Sequence, residues 1–429
     1  MKQQKKVCVI TLGCKVNTYE SDSIIVSLKK YGIDAVANLE YADVYVLNTC
    51  AVTNEGERKS RGLVAKCLKI NPKADIYVCG CASQNNPEQF LKFDNVKYVL
   101  GTSNKLKIVD IITGKINPEK GFENKIETTY NDNYETKNSR TRAVIKIQDG
   151  CNNFCSYCLI PYLRGRERSR SLSSIKREIE LLTKSAKEIV LTGINMSAYG
   201  KDLENQNLSL IDVCKLFKNT QVKFRISSLE VGIIDDKFLK ELSVIDNFQP
   251  HFHLSMQSAC NNVLKKMNRH YTIEEYNSKV NLIRKYFKDA NITTDVIVAF
   301  PTETDEDFIE TYNNCKNIGF GWIHVFPYSK RDGTVAGKMK NINDGNKAKE
   351  RQKLLTSLAM VMRDEFTKKH IGKEYDVIIE QEIDGYYTGH TPNFIKCYVS
   401  SSSKLNSNDV VRVKINEVYK DGALAIIVK

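Results

Sequence analysis

Over the first 125 residues, short continuous apolar runs alternate with longer stretches of helical periodicity. Val7-Cys8-Val9-Ile10-Thr11, Val44-Tyr45-Val46-Leu47-Asn48 and Ile76-Tyr77-Val78-Cys79 lack the in–out alternation of a half-buried strand and read as strands covered on both faces. Helix-spaced apolar positions fill the gaps, from Ser21 to Tyr31 and from Glu55 to Ile70. This βαβ rhythm predicts a doubly wound parallel sheet over 1–125. Apolar content then falls between Lys115 and Arg142, where Asn, Lys, Glu and Thr dominate. A linker is expected at 126–142, with one edge strand in the same stretch.

The alternation resumes over 143–373, with six strand candidates: Ala143–Gln148, Ile189–Thr192, Phe224–Ser228, Phe252–Met256, Thr294–Phe300 and Trp322–Tyr328. Six repeats fall short of the eight of a closed (β/α) barrel. A helix from Gly345 to His370 closes the segment. From 374 to 429 the rhythm changes to strands separated by short Gly, Asn and Asp turns: Tyr375–Glu380, Ile395–Ser400, Asp409–Val418 and Ala423–Val428. These predict a small all-β barrel.

Charge sharpens the picture. The 429 residues carry 64 Lys+Arg against 51 Asp+Glu, a formal +13, which favours a polyanionic partner, RNA before membrane. The last segment runs against this trend: six Lys+Arg and eight Asp+Glu in 374–429 give −2, leaving +15 on the rest. RNA contact there would rest on Tyr386, Tyr387, Asn393, Phe394 and Tyr398. No apolar run approaches the ~20 residues of a membrane span, and the N-terminal strand is too short for a secretory core. Thirteen cysteines in such a chain point to a reducing, cytoplasmic setting and to metal ligation.

The cysteines carry the chemistry. Cys151-Asn152-Asn153-Phe154-Cys155-Ser156-Tyr157-Cys158 can supply three corners of an iron–sulfur cubane, whose four irons want four protein ligands. No fourth cysteine lies nearby, so one iron stays open to a small molecule. A zinc knot would show a second ligand pair after a longer loop, which this segment lacks. Three further cysteines, Cys14, Cys50 and Cys81, each follow one of the first three strands. Carboxyl ends of parallel strands share one sheet edge, where ligand crevices form, so these thiols converge. They could hold a second cluster with an open iron, or pack as small hydrophobes. Cys79 is the rival ligand, but it sits inside a strand. Cys8, Cys67, Cys214, Cys260, Cys315 and Cys397 read as packing.

CxxxCxxC after a strand and Gly150 resembles the signature of the radical S-adenosylmethionine (SAM) superfamily. LGCxxN, NTCxVT and GCxxQ, followed by that triplet and a TRAM-like tail, resemble the methylthiotransferase family along nearly the whole chain. The resemblance implies an open six-stranded (β/α)6 partial barrel and an RNA-binding TRAM-like barrel at the C-terminus. It also implies two [4Fe–4S] clusters, one on Cys151, Cys155 and Cys158, the other on Cys14, Cys50 and Cys81. One SAM would donate a methyl group to sulfur held at the second cluster, and another would yield a 5′-deoxyadenosyl radical at the first. Such chemistry suits an aromatic C–H bond, which has no leaving group and little acidity.

By the same resemblance, Gly193 and Asn195 after the second barrel strand, Ser228 and Glu230 after the third, Gln257 in the Gln257-Ser258-Ala259 stretch and Val298 contact SAM. Ala259 and Ala299 stand where the family pattern has Gly, and Thr302 likewise replaces a small or glycine position. The strip Arg164-Gly165-Arg166-Glu167-Arg168-Ser169-Arg170 reads first as a solvated face; at the rim of the site, Arg166 and its neighbours could clamp SAM's carboxylate or substrate phosphates. Lys265, Lys266, Arg269, Lys330 and Arg331 would extend it.

Gly13–Glu20, His251–Ser255 and Gly321–Tyr328 resemble the MtaB-type branch, which methylthiolates N6-threonylcarbamoyladenosine beside the tRNA anticodon. The implied partners are tRNA, an external electron donor of flavodoxin or ferredoxin type and a sulfur donor, with no membrane. Isopentenyladenosine tRNA and an aspartate of a ribosomal protein are the alternative substrates. A non-catalytic iron–sulfur RNA-binding or redox protein is the alternative of another class.

Overall fold

The computed structural model describes residues 5–137, 141–203 and 207–428. The first sheet is fully parallel, in the order β2-β1-β3-β4-β5-β6. Its strands are β1 (Lys6–Thr11), β2 (Asp34–Val36), β3 (Val44–Thr49), β4 (Asp75–Gly80), β5 (Val96–Leu100) and β6 (Phe122–Glu123). The three strongest apolar runs form its centre, and β2, β5 and β6 extend it; β6 lies in the polar Lys115–Arg142 stretch. Both faces are covered, as the continuous runs require: Cys8, Tyr45, Leu47, Ile76 and Val78 pack on one side, Val7, Val9, Val44, Val46 and Cys79 on the other. Helix α1 runs over Lys15–Lys30, a turn and a half before its apolar periodicity becomes evident at Ser21, because its first turns bury Asn17, Glu20 and Ser21. Helices α2 (Asn54–Ile70) and α3 (Cys81–Asn85) follow β3 and β4.

Next comes a parallel arc of β7 (Arg142–Lys146), β10 (Glu188–Thr192), β11 (Lys223–Ile226), β12 (Ser228–Leu229), β13 (His251–Leu254), β14 (Asn291–Val298) and β15 (Trp322–Pro327). A short antiparallel pair, β8 (Gln148–Asp149) with β9 (Arg168–Ser169), brackets the cysteine triplet. β11 and β12 are one strand broken at Ser227, and Phe224 bridges to Phe248 across the break, so six strand positions make an open barrel. The helix Gly345–Lys368 lays Leu355, Leu358, Ala359 and Met362 into the barrel's core.

The C-terminal segment is a closed five-stranded barrel, β16 (Glu374–Ile383), β17 (Tyr386–His390), β18 (Lys396–Ser400), β20 (Gly422–Ile427) and β19 (Val410–Tyr419), with β19 returning to β16. The strand absent from the sequence reading is β17, which carries Gly389 and follows a turn at Asp384 and Gly385. No helix among the described residues is long and apolar enough to cross a membrane.

Candidate functional site

Cys14, Cys50 and Cys81 meet at the carboxyl edge of the first sheet. Cys14 caps α1, Cys50 directly follows β3, and Cys81 opens α3. Their thiols act on one another electrostatically: burial, then Cys81 and Cys14, push the Cys50 thiol up to about 11. A cation bound by such a trio takes the place of the thiol protons. Gly13 fits closely against it. Its φ is +104°, and an added Cβ would stand 3.0 Å from the Cys50 Sγ. Cys79 lies in β4 on the opposite, fully packed face, where burial lifts its thiol to about 12. The donor set, with Gly13 keeping a side chain away from Cys50, fits a cubane held by three sulfurs.

The second trio is similar in its logic. Cys151, Cys155 and Cys158 are half-buried and mutually coupled, and burial lifts Cys151 to about 11 and Cys158 to about 12. Three N–H donors aim at the sulfurs: Asn153 N at 3.5 Å from Cys151, Ile160 N at 3.4 Å from Cys158, and Arg269 Nη1 at 3.4 Å from Cys155. Donors so placed favour anionic sulfur. Gly150 makes the turn possible at φ +70°, where a Cβ would lie 1.9 Å from the Arg166 carbonyl oxygen.

A buried charge cluster ties the two trios together. Glu20 of α1, six residues after Cys14, meets Lys105, the Lys146 ammonium at 2.7 Å and Arg164 at 3.0 Å. Asp149, two residues before Cys151, meets the same Lys146 at 2.5 Å and Arg164 at 3.1 Å, with Arg168 at 3.5 Å. Burial alone would raise both carboxyls; Arg164, Lys105 and Lys146 hold Glu20, and Lys146, Arg164 and Arg168 hold Asp149, well below the ordinary carboxylate range. Arg164 also donates to Asn17 Oδ1 at 2.7 Å.

The arginine strip is therefore mostly not a solvated face. Arg164, Arg168 and Arg170 are buried, and Arg170 is engaged by Glu178 and Tyr19. Arg166 alone remains exposed, over the Phe154 ring at 4.4 Å. Arg269 and Arg331 likewise belong to internal pairs, with Glu230 at 2.5 Å and Glu57 at 2.6 Å, while Lys265 and Lys330 are exposed.

The other sequence-predicted residues scatter around the barrel's mouth. Gly193 lies against Gln148 and Met196. The Asn195 backbone N–H donates to Gln148 Oε1 at 2.7 Å, and its buried side-chain oxygen has no partner among the described residues. Ser228 is exposed to a large cavity, and Glu230 is joined to the Cys155 region through Arg269. Gln257 adopts φ +73° and pairs with Val296. The side chain of Val298 is packed in the barrel core, leaving only backbone at that position to face a ligand. Ala299 takes φ +57°, a left-handed conformation that glycine adopts more readily. Asn393 and Tyr398 are buried in the C-terminal segment, with Tyr398 bonded to Asp421, and Phe394 is stacked on His251 and His390 at 4.6 and 4.4 Å. Asn393 and Tyr398 are thereby withdrawn from the surface, while Phe394 lines the same large cavity as Ser228.

Between the three segments lies a cavity of about 1120 Å³. Gly13, Lys15 and Thr18 line one side, the inward residues of the barrel strands form the floor, and Lys396 and Asp421 lie on the far rim. Its polar floor includes His253, Asp295 and His324, whose ligand atoms all lie within 4.8 Å of one another; His253 Nε2 reaches Asp295 Oδ2 at 3.2 Å. Arg142 and Arg225 flank Glu188, at 2.6 and 2.8 Å. The signal for this lining is present in the sequence as alternation: Arg142-Ala143-Val144 and His251-Phe252-His253 place every second side chain inward.

Known proteins resemble this chain along most of its length. Residues 6–101 match the uncharacterized protein family UPF0004, and residues 145–315 match the radical SAM superfamily. The threonylcarbamoyladenosine tRNA methylthiotransferase MtaB of Bacillus subtilis (strain 168) is 36% identical, covering 98% of this chain and 96% of its own. Its namesake from Aquifex aeolicus is 38% identical over 88% and 93%. The tRNA-2-methylthio-N(6)-dimethylallyladenosine synthase of Thermosipho melanesiensis is 34% identical over 96% of each. Among solved structures, the radical SAM methyltransferase TsrM of Kitasatospora setae, with cobalamin and a [4Fe–4S] cluster bound, shares the fold at a TM-score of 0.56 and 13% identity, over 78% of this chain and 77% of that one. Kinship with transferases of this kind sets aside the non-catalytic reading.

Proposed function

The chain belongs to the MtaB-type family of radical SAM tRNA methylthiotransferases, and on that premise we propose that it converts N6-threonylcarbamoyladenosine, 3′-adjacent to the anticodon, to its 2-methylthio derivative. The observation that carries this reading is the convergence of two thiol trios, bound together by one buried charge cluster, beside a cavity large enough for an extruded nucleotide. An unpaired loop base enters such a cavity at low cost.

In this reading Cys151, Cys155 and Cys158 hold one [4Fe–4S] cluster, and Cys14, Cys50 and Cys81 hold the other. With SAM bound, the cofactors supply one-electron chemistry that breaks a C–H bond no acid–base group could ionise, and a methyl donor for sulfur. Gly193, Asn195, Ser228, Glu230 and Gln257 bind SAM, with Arg166 over its carboxylate and the Val298 backbone beside it. Arg269 fixes Glu230 and turns an N–H toward Cys155. The C-terminal barrel acts as a TRAM-like module that closes the far wall and shields the site from water. Two SAM molecules, a flavodoxin- or ferredoxin-type electron donor and a sulfur donor complete the reaction.

Relatives named for N6-dimethylallyladenosine support a second reading. That substituent calls for a wholly apolar surround, whereas Lys15 faces this cavity beside its apolar lining. Nucleoside mass spectrometry of tRNA from a deletion strain decides between them: loss of the 2-methylthio group from threonylcarbamoyladenosine supports the proposal, and its persistence overturns it.

A further inference from the structure

The cavity presents five Lys and Arg side chains, and four of them are already neutralised. Arg142 is held by Glu188 and by Glu380 at 2.6 Å. Arg225 is held by Glu188 and donates to the Thr391 and Pro392 carbonyls at 2.8 and 2.6 Å. Arg363 pairs with Asp364 at 2.9 Å, and Lys396 with Asp421 at 3.0 Å. Lys15 is the remaining one. Its ammonium makes no hydrogen bond or ion pair with any described residue, although Arg142 and Asp295 line the same cavity. The one nearby carboxylate, Asp295, is engaged by His253. An unpaired cation facing a cavity walled by protein is a standing invitation to an anion.

Resting on the function proposed above, we infer that Lys15 is the specificity residue that receives the carboxylate of the N6-threonylcarbamoyl group. The connectivity of the substrate supports the placement. In adenine, C2 and the N6-bearing carbon flank N1 on one edge of the ring. If C2 must face sulfur held at the Cys14, Cys50 and Cys81 edge, a substituent on N6 emerges along the same edge. Lys15 follows Cys14 directly and lines the cavity together with Gly13, so its side chain rises from that edge. Arg142 and Arg225 then serve to rigidify the floor. An ammonium is suited to this task because its stem can follow a flexible substituent, where a forked guanidinium would demand one geometry.

The test uses the reconstituted holoenzyme and two anticodon stem-loop RNAs, one bearing the free acid and one its neutral methyl ester. Affinity is read by fluorescence anisotropy and turnover by nucleoside mass spectrometry. The unaltered enzyme is expected to bind the acid about tenfold to a hundredfold more tightly than the ester, the worth of a charge-assisted hydrogen bond. Lys15→Gln is expected to bind both within about twofold of each other, with the loss in KM rather than kcat, and Lys15→Arg to regain part of the preference. A Lys15→Gln enzyme that still prefers the acid as strongly as the parent overturns the inference, as does a parent that does not distinguish acid from ester, a comparison that needs no variant. The outcomes separate from those of the functional proposal: a parent that fails to methylthiolate the acid RNA but modifies a dimethylallyl RNA defeats the proposal itself, whereas one that turns over acid and ester alike defeats only the role of Lys15.

Discussion

Replacing Glu20 by Gln preserves volume and removes one buried negative charge. In the native cluster four cations (Lys105, Lys146, Arg164 and Arg168) face two anions, Glu20 and Asp149, nearly all out of reach of water. The change leaves four cations to Asp149 alone. Removing one partner of a buried pair costs about 3–5 kcal/mol, since the remaining charges stay desolvated without compensation. That corresponds to local opening more frequent by about a hundredfold to several thousandfold. Amide hydrogen exchange by mass spectrometry reads this locally, without requiring the whole chain to unfold in two states. Peptides covering 15–21 and 143–149 are expected to lose protection together, because Glu20 and Asp149 share Lys146 and Arg164. The double variant Glu20→Gln/Lys146→Met restores the native charge excess and should recover much of that protection. Unchanged exchange in the single variant, or a double variant whose losses simply add, would refute the reasoning.

Gly13→Ala forces a side chain onto φ +104° and against Cys50, costing about 1–2 kcal/mol in backbone alone; on the two-cluster reading proposed above, bound iron should fall from about eight toward about four per chain, measured by colorimetric iron assay. Cys81→Ser is expected to lose the same share of iron, whereas Cys79→Ser, changed on the packed face, should retain nearly all of it, with Mössbauer spectra reporting which cluster remains. The third concerns pH. Burial holds His370 neutral in the fold down to about 4, below its ordinary 6.5, so its contribution is full above pH 6.5 and is lost as pH falls toward 4. Urea midpoints should report a loss of about 2 kcal/mol between pH 6.5 and 5, and His370→Phe should flatten that part of the profile.

The grouping of the cysteines into two trios was legible because its constraints are short or topological. Cys151, Cys155 and Cys158 are set by local spacing, and Cys14, Cys50 and Cys81 by the rule that parallel strands end at one edge. What stayed hidden depends on partners remote in sequence. Lys146 meets Glu20 across 126 positions, and no window of sequence distinguishes Arg164, wholly buried, from Arg166, exposed two residues later. The strip between 164 and 170 thus has the composition of a surface and the role of a core. In the same way Tyr398 looks like a stacking platform until Asp421, 23 residues on, binds its hydroxyl. The cavity's cations were visible as letters, but their neutralisation by Glu188 and Glu380 was not, and only the neutralised ones make Lys15 stand out.

The lengths of the sheet margins bear on how such a protein survives before its cofactors arrive. A chain awaiting iron and sulfide must linger in a half-finished condition, when exposed strand borders can recruit other copies into aggregates. Here the first sheet ends in strands of three and two residues, β2 and β6, and the C-terminal strands close into a ring with no border at all. Those margins offer little template for intermolecular pairing, so the apoprotein can wait for its inorganic parts with less risk of precipitating.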